Sequence, residues 1–128
     1  MPVLDTWAWV EYFQGSPAGA RVRPLVDNGE AATCILTFAE LADLHERARR
    51  PGLEPRLAFV AARGAILEVT RQAATRAGRT KWAQRANGHP LGLGDAIIYE
   101  VARENDLELV TGDEGFLGLE GVRFVGEA

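Results

Sequence analysis

Short, continuous apolar runs alternate along the chain with longer stretches in which apolar residues recur at helical spacing. Residues 3–4 are a brief apolar run ending at Asp5, and 6–13 read as a helix stopped by Gly15. Ser16-Pro17 has the form of a cap followed by proline at the first helical position, opening a helix towards Val26. A second buried strand is predicted over 31–36, then a helix from Thr37 to about Arg49, broken by Pro51-Gly52. Further on the pattern predicts a helix over 54–63, a strand over 65–69 and a long helix from Thr70 to about Ala86. After the turn-rich Asn87-Gly88-His89-Pro90 come a helix over 95–104, a strand over 107–111, a turn of helix near 114–117 and a last strand over 122–125. Buried strands separated by helices imply an α/β fold with a covered, mainly parallel sheet of about five strands. The expectation is a single-domain three-layer sandwich spanning 1–128.

Composition narrows the class. The apolar share of 47% is that of a globular protein, and no apolar run approaches the ~18 residues that cross a bilayer. The opening MPVLDTWAWVE has an acid at position 5 and no basic leader, which argues against a secretory signal; a cytoplasmic protein with no membrane association is expected. Cys34, the only cysteine, lies in the apolar run AATCIL and reads as a buried small hydrophobe. With only two histidines, His45 and His89, standing apart, no zinc site is expected. No glycine-rich phosphate loop is present, since Gly92-Leu93-Gly94 fits neither phosphate-binding frame.

The net charge of −4 is unevenly spread. Between Arg47 and Arg85 ten basic residues face two acids, a local +8, which leaves −12 for the remainder. A basic lobe beside an acidic pocket suits a polyanionic substrate, and it equally suits ordinary solvated helix faces.

Four acids carry the candidate chemistry: Asp5, Glu40, Asp95 and Asp113. Asp5 ends the first strand, Glu40 lies one helical turn past the second, and Asp113 follows the strand at 107–111. In right-handed strand–helix–strand units those positions share the carboxyl rim of the sheet. The helix opening at Asp95 leads into the strand at 107–111 and runs antiparallel to it, so its start returns to the same rim. Four close carboxylates repel one another, and a hard cation such as Mg²⁺ or Mn²⁺ relieves the conflict. One or two ions there would activate water and steady charge on a phosphodiester. Asp5 and Asp95 read as direct ligands, Glu40 as a ligand or water-orienting group, and Asp113 as holder of a second ion or bridging water. Each acid also has a structural reading: Thr37-x-x-Glu40 is a capping box, Asp5 ends a strand, and Asp95 and Asp113 can cap helices.

The motifs around these acids resemble those of the PIN-domain nucleases, above all the VapC-type toxins of toxin–antitoxin pairs. Val3-Leu4-Asp5-Thr6 is similar to the family's opening strand, and Leu36-Thr37-Phe38-Ala39-Glu40-Leu41 to the segment bearing its glutamate. Leu91-Gly92-Leu93-Gly94-Asp95-Ala96-Ile97-Ile98 and Leu109-Val110-Thr111-Gly112-Asp113-Glu114-Gly115-Phe116 are the most specific matches. The resemblance implies a PIN-like fold and a Mg²⁺- or Mn²⁺-dependent ribonuclease leaving a 3′-hydroxyl and a 5′-phosphate. It also implies a homodimer and a small cognate antitoxin. By position Asp5, Glu40, Asp95 and Asp113 become the acidic quartet, with Thr6 and Thr111 as hydroxyl partners. Two positions depart from the family pattern: Trp7 stands where small polar residues are common, and Gly112 where a basic residue often precedes the last aspartate.

The basic residues of the long helix, Arg71, Arg76, Arg79 and Arg85, are candidate contacts to an RNA backbone; solvent or an acidic partner would suit them too. Trp7, Trp9, Tyr12 and Phe13 are too many for one face of a short helix, so some are expected in the core and some at an interface. A housekeeping RNA-processing nuclease and a catalytically silent binding module are the alternatives to a toxin. Aspartyl-phosphate enzymes fit less well, because Trp7 occupies the position of their second aspartate and Lys81 is the only lysine.

Overall fold

The computed structural model describes residues 1–127. Its strands are short and all parallel. β1 (Val3–Leu4) pairs with β4 (Leu109–Thr111), which pairs with β5 (Val122–Phe124); β2 (Thr33–Cys34) pairs with β3 (Ile66–Leu67). A parallel bridge between Val3 and Ala32 joins the two ladders into the order β3-β2-β1-β4-β5. The bonds across that seam are Leu4 N–H to Ala32 O at 2.9 Å and Ala32 N–H to Pro2 O at 2.9 Å.

Successive strand residues point to opposite faces, and the core divides accordingly. Val3 and Leu109 pack with Ala73, Ala77, Ile98 and Val101, residues of α5 (Arg71–Ala86) and α6 (Leu93–Glu104). Leu4 and Val110 face Ala8, Trp9, Val22, Leu41 and Val60 on the other side. Those come from α1 (Thr6–Gln14), α2 (Pro17–Asp27), α3 (Ile35–Ala48) and α4 (Leu53–Ala61). The result is the expected three-layer α/β sandwich. Among the described residues no helix is long and apolar enough to cross a membrane.

Helix ends follow local chemistry. Ser16 and Thr70 accept the N–H of Gly19 and Ala73 at the starts of α2 and α5. Gly15 closes α1 in the left-handed region at φ 68°, where a side chain would be strained.

Four strands are shorter than their apolar runs predict, the last ending at Phe124 rather than 125. Residues 31–36 form a ladder only at Thr33–Cys34, and 65–69 only at Ile66–Leu67. The run at 107–111 begins pairing at Leu109. Apolarity reports burial; ladder length is decided by how far a partner runs alongside. The chain turns into α3 at Ile35, so Cys34 occupies the N-cap and contributes no side-chain bond.

Candidate active site

Asp5 is fully buried and caps α1: Oδ1 accepts the Ala8 N–H at 2.8 Å. Its Oδ2 accepts the Thr111 hydroxyl at 2.5 Å, and Thr111 Oγ1 in turn accepts the Asp113 N–H at 3.1 Å. Thr111, buried on β4, therefore ties two acids whose chain positions are far apart. Asp113 caps the short 3-10 turn Glu114–Phe116, accepting the Gly115 N–H at 2.8 Å.

Glu40 approaches from α3. Its Oε1 accepts the Thr6 hydroxyl at 2.5 Å, and Thr37 Oγ1 lies 3.1 Å from Thr6 Oγ1. The capping-box reading of Thr37 and Glu40 is corrected here. Cys34 holds the cap, so Thr37 falls inside the first turn of α3 and both side chains meet Thr6 instead. Asp95 is likewise not a cap, since Gly92 takes that position in α6. A methyl built on Gly94 would lie 2.9 Å from Glu40 Oε2, and one on Gly92 would lie 3.3 Å from Asp95 Oδ2. The glycines flanking Leu93 thus leave room for two carboxylates.

The acids act on one another's proton affinity. Burial pushes the Asp5 carboxyl up to about 7; bonds from Thr111 and Ala8 oppose the rise, and Asp95 and Asp113 add to it. Asp95 is raised to about 6, chiefly by burial and then by the charges of Asp113 and Glu40. Without a cation, Asp5 and Asp95 keep their protons to higher pH than ordinary carboxyls do.

The donors are carboxylate and hydroxyl oxygens, the set that hard divalent cations take. Among the described residues no three His, Cys, Asp or Glu side chains close around one point as a metal cage. Arg71, Arg76, Arg79 and Arg85 lie exposed on α5, outside this cluster. His89 is in the loop after α5, and Cys34 is buried. Sequence reasoning missed Thr37 as a neighbour of Thr6, because its spacing to Glu40 matched a cap.

The aromatic residues of α1 divide. Trp9 is buried and donates its indole N–H to Thr33 Oγ1 at 3.0 Å; Tyr12 and Phe13 pack on Phe59 of α4. Trp7 lies over Gly112, where any Cβ would overlap its ring. The two departures from the family pattern are therefore one packing arrangement.

Residues 3–121 match the PIN domain family. Among solved structures, a toxin–antitoxin complex from Klebsiella pneumoniae aligns with TM-score 0.77 at 22% identity, covering 100% of each chain. The DNA-bound VapBC of Salmonella typhimurium aligns at 0.69 and 25% identity over 97% of each chain. VapBC-5 of Mycobacterium tuberculosis aligns at 0.65 and 24% over 98% of each. No curated protein matches the sequence.

Proposed function

The chain belongs to the PIN domain family, and from that premise we propose that it is a metal-dependent endoribonuclease, the toxin of a toxin–antitoxin pair. The observation that carries the reading is the carboxyl cluster itself. Asp5 and Asp95 are held beside Asp113 and Glu40, where burial and mutual charge raise their proton affinity. Such an arrangement is destabilising on its own and becomes favourable when a divalent cation replaces the protons.

Mg²⁺ or Mn²⁺, one ion or two, would be held by Asp5, Glu40, Asp95 and Asp113, and supplies Lewis acidity towards water and phosphate oxygens. Asp5 is fixed by its two hydrogen bonds, so its carboxylate is preorganised. Thr6 holds Glu40 in position to orient the attacking water or to ligate. Thr111 keeps Asp5 and Asp113 in register. Water attacks phosphorus, the P–O3′ bond breaks, and the products are a 3′-hydroxyl and a 5′-phosphate. Arg71, Arg76, Arg79 and Arg85 would steady the RNA backbone without reading bases.

The partner assignment is supported by the structural neighbours, several of which are toxin–antitoxin complexes. A small cognate antitoxin, a homodimer and a cytoplasmic setting belong to the same reading.

The test is cleavage of a pool of structured and single-stranded RNAs with Mg²⁺ or Mn²⁺ and with chelator, beside Asp5→Asn. An asparagine retains the Oδ1 cap on Ala8 while removing the charge. Metal-dependent cutting that disappears in the variant supports the nuclease. Absence of cutting by folded protein at high concentration would transfer the reading to a silent binding module. Growth arrest on expression, relieved by a neighbouring small gene product, separates a toxin from a housekeeping nuclease.

A further inference from the structure

The long helix α5 carries a feature that the acidic site does not use. Trp82 is 61% exposed, the most exposed of the large hydrophobic side chains. α5 buries its opposite side through Ala73, Ala77 and Gln84. Lys81 Nζ and Arg85 Cζ lie over the indole ring, 5.9 and 5.3 Å from its centroid, where a stacking base would take their place. The helix holds five cations (Arg71, Arg76, Arg79, Lys81 and Arg85) and no acid. Among the described residues the ion pairs are Arg103–Glu120 and Arg123–Glu108, so none of the five is neutralised by one.

One turn earlier on the same face is Gly78. A methyl there would meet no atom within 4 Å, so packing gives no reason for a glycine that weakens the helix by about 1 kcal/mol relative to alanine. Helical side chains lean towards the N-terminus, which places the approach to the indole over this gap. Gly78 keeps that approach open.

The end of α5 that carries Trp82 is the one nearer the acidic rim. Thr70 at the start of α5 bonds Glu104 at the end of α6, and Thr80 bonds Glu100. The helices are therefore antiparallel, and the residues after Thr80 run toward the end of α6 that bears Asp95. Gln84, on the face of α5 opposite Trp82, donates to Gly115 O at 2.8 Å and Leu117 O at 3.0 Å, so the segment just beyond Asp113 packs behind this end of the helix and an RNA strand would pass round it to reach Trp82.

We propose that Trp82 is a stacking platform for a base of single-stranded RNA running to or from the acidic rim, with Lys81 and Arg85 on its flanking phosphates. The occupant follows from charge: an exposed aromatic ring among unpaired cations matches a polyanion that also offers flat faces. A second copy of this chain docked α5 against α5 by two-fold symmetry would set these cations against one another. The proposal rests on RNA as substrate but not on cleavage, because stacking can be read without metal.

The test measures binding of a mixed-sequence single-stranded RNA in chelator, beside an abasic oligomer of equal charge, across a salt series. Trp82→Ala is expected to weaken RNA binding by about 5- to 150-fold, the range of one base stack on an aromatic residue. Its salt slope should stay unchanged, since no phosphate contact is lost. Trp82→Phe should retain most of the affinity, and abasic binding should not respond. Gly78→Leu should also weaken RNA binding while leaving the melting temperature unchanged or higher, which separates blockage from unfolding. Equal loss on both oligomers, no loss on either, no RNA binding by the unaltered protein, or a dimer that dissociates in Trp82→Ala would each overturn the platform. Unchanged RNA binding in Trp82→Ala, with normal cutting by the parent, overturns this inference alone; the expected loss of binding in Trp82→Ala, with no cutting by the parent in metal, overturns the nuclease alone.

Discussion

The Trp7 ring occupies the space that a side chain on Gly112 would need. Trp7 follows Asp5 and Thr6, and Gly112 precedes Asp113, so this contact joins the two segments that carry the first and last acids. Gly112→Ala must displace the indole, and overpacking of this kind costs about 1–3 kcal/mol. In a Trp7→Ser background the same substitution should cost close to nothing. A double-mutant cycle by denaturant unfolding checks the coupling, and additive effects would show that the ring is free to move.

Gly94→Ala should separate stability from activity. The new methyl falls 2.9 Å from Glu40 Oε2, the end of a flexible side chain that can swing aside. Replacing a helical glycine contributes up to about 1 kcal/mol. The variant is expected to melt at or above the temperature of the parent yet to cut RNA at least tenfold more slowly; thermal unfolding and cleavage rates together decide this.

Metal-free stability should fall as pH rises from about 4 to about 7. Asp5 moves from 3.8 to about 7 on folding and Asp95 from 3.8 to about 6, so the folded protein binds more protons than the unfolded chain in that window. Their contribution is fully present below the unfolded value and is lost as pH climbs through the folded one. Asp5→Asn should flatten the decline, and Mg²⁺ at pH 8 should raise the midpoint of parent more than of variant. Urea midpoints across pH, with and without metal, provide the check.

Thr111→Val deletes the hydroxyl that Asp5 Oδ2 accepts while nearly preserving volume. That bond favours the ionised form, so its loss should push Asp5 further up and shift the alkaline rise of metal-dependent activity to higher pH. A stability loss of about 1–3 kcal/mol is expected, because Asp5 Oδ2 and the Asp113 N–H both lose their partner. An unchanged pH–rate profile would show that ionisation of Asp5 does not set the alkaline rise.

Arg71→Gln and Arg79→Gln act on exposed positions and should change stability by less than about 0.5 kcal/mol. If each arginine holds one phosphate of single-stranded RNA, each loss should reduce the salt dependence of binding by about 0.7 in log–log slope. An unaltered slope would remove these arginines from the substrate path.

Much of this protein was legible in its residues because it is encoded locally. Alternating apolar runs, Ser16-Pro17, Gly15 and the acids at strand ends report burial, capping and the rim from near neighbours alone. The topology then brings Asp5, Glu40, Asp95 and Asp113 to one edge, since parallel strands leave few other arrangements. What the sequence could not determine depends on contacts between distant segments. Strands of two or three residues follow from where partners begin and end, and Thr37 turned from an apparent cap into a neighbour of Thr6 because α3 starts at Ile35. The link of Asp5 through Thr111 to Asp113, and the nesting of Trp7 on Gly112, join residues more than a hundred positions apart. Local propensity cannot register such pairs; only the packed sheet, which sets their side chains within hydrogen-bond and van der Waals reach, decides them.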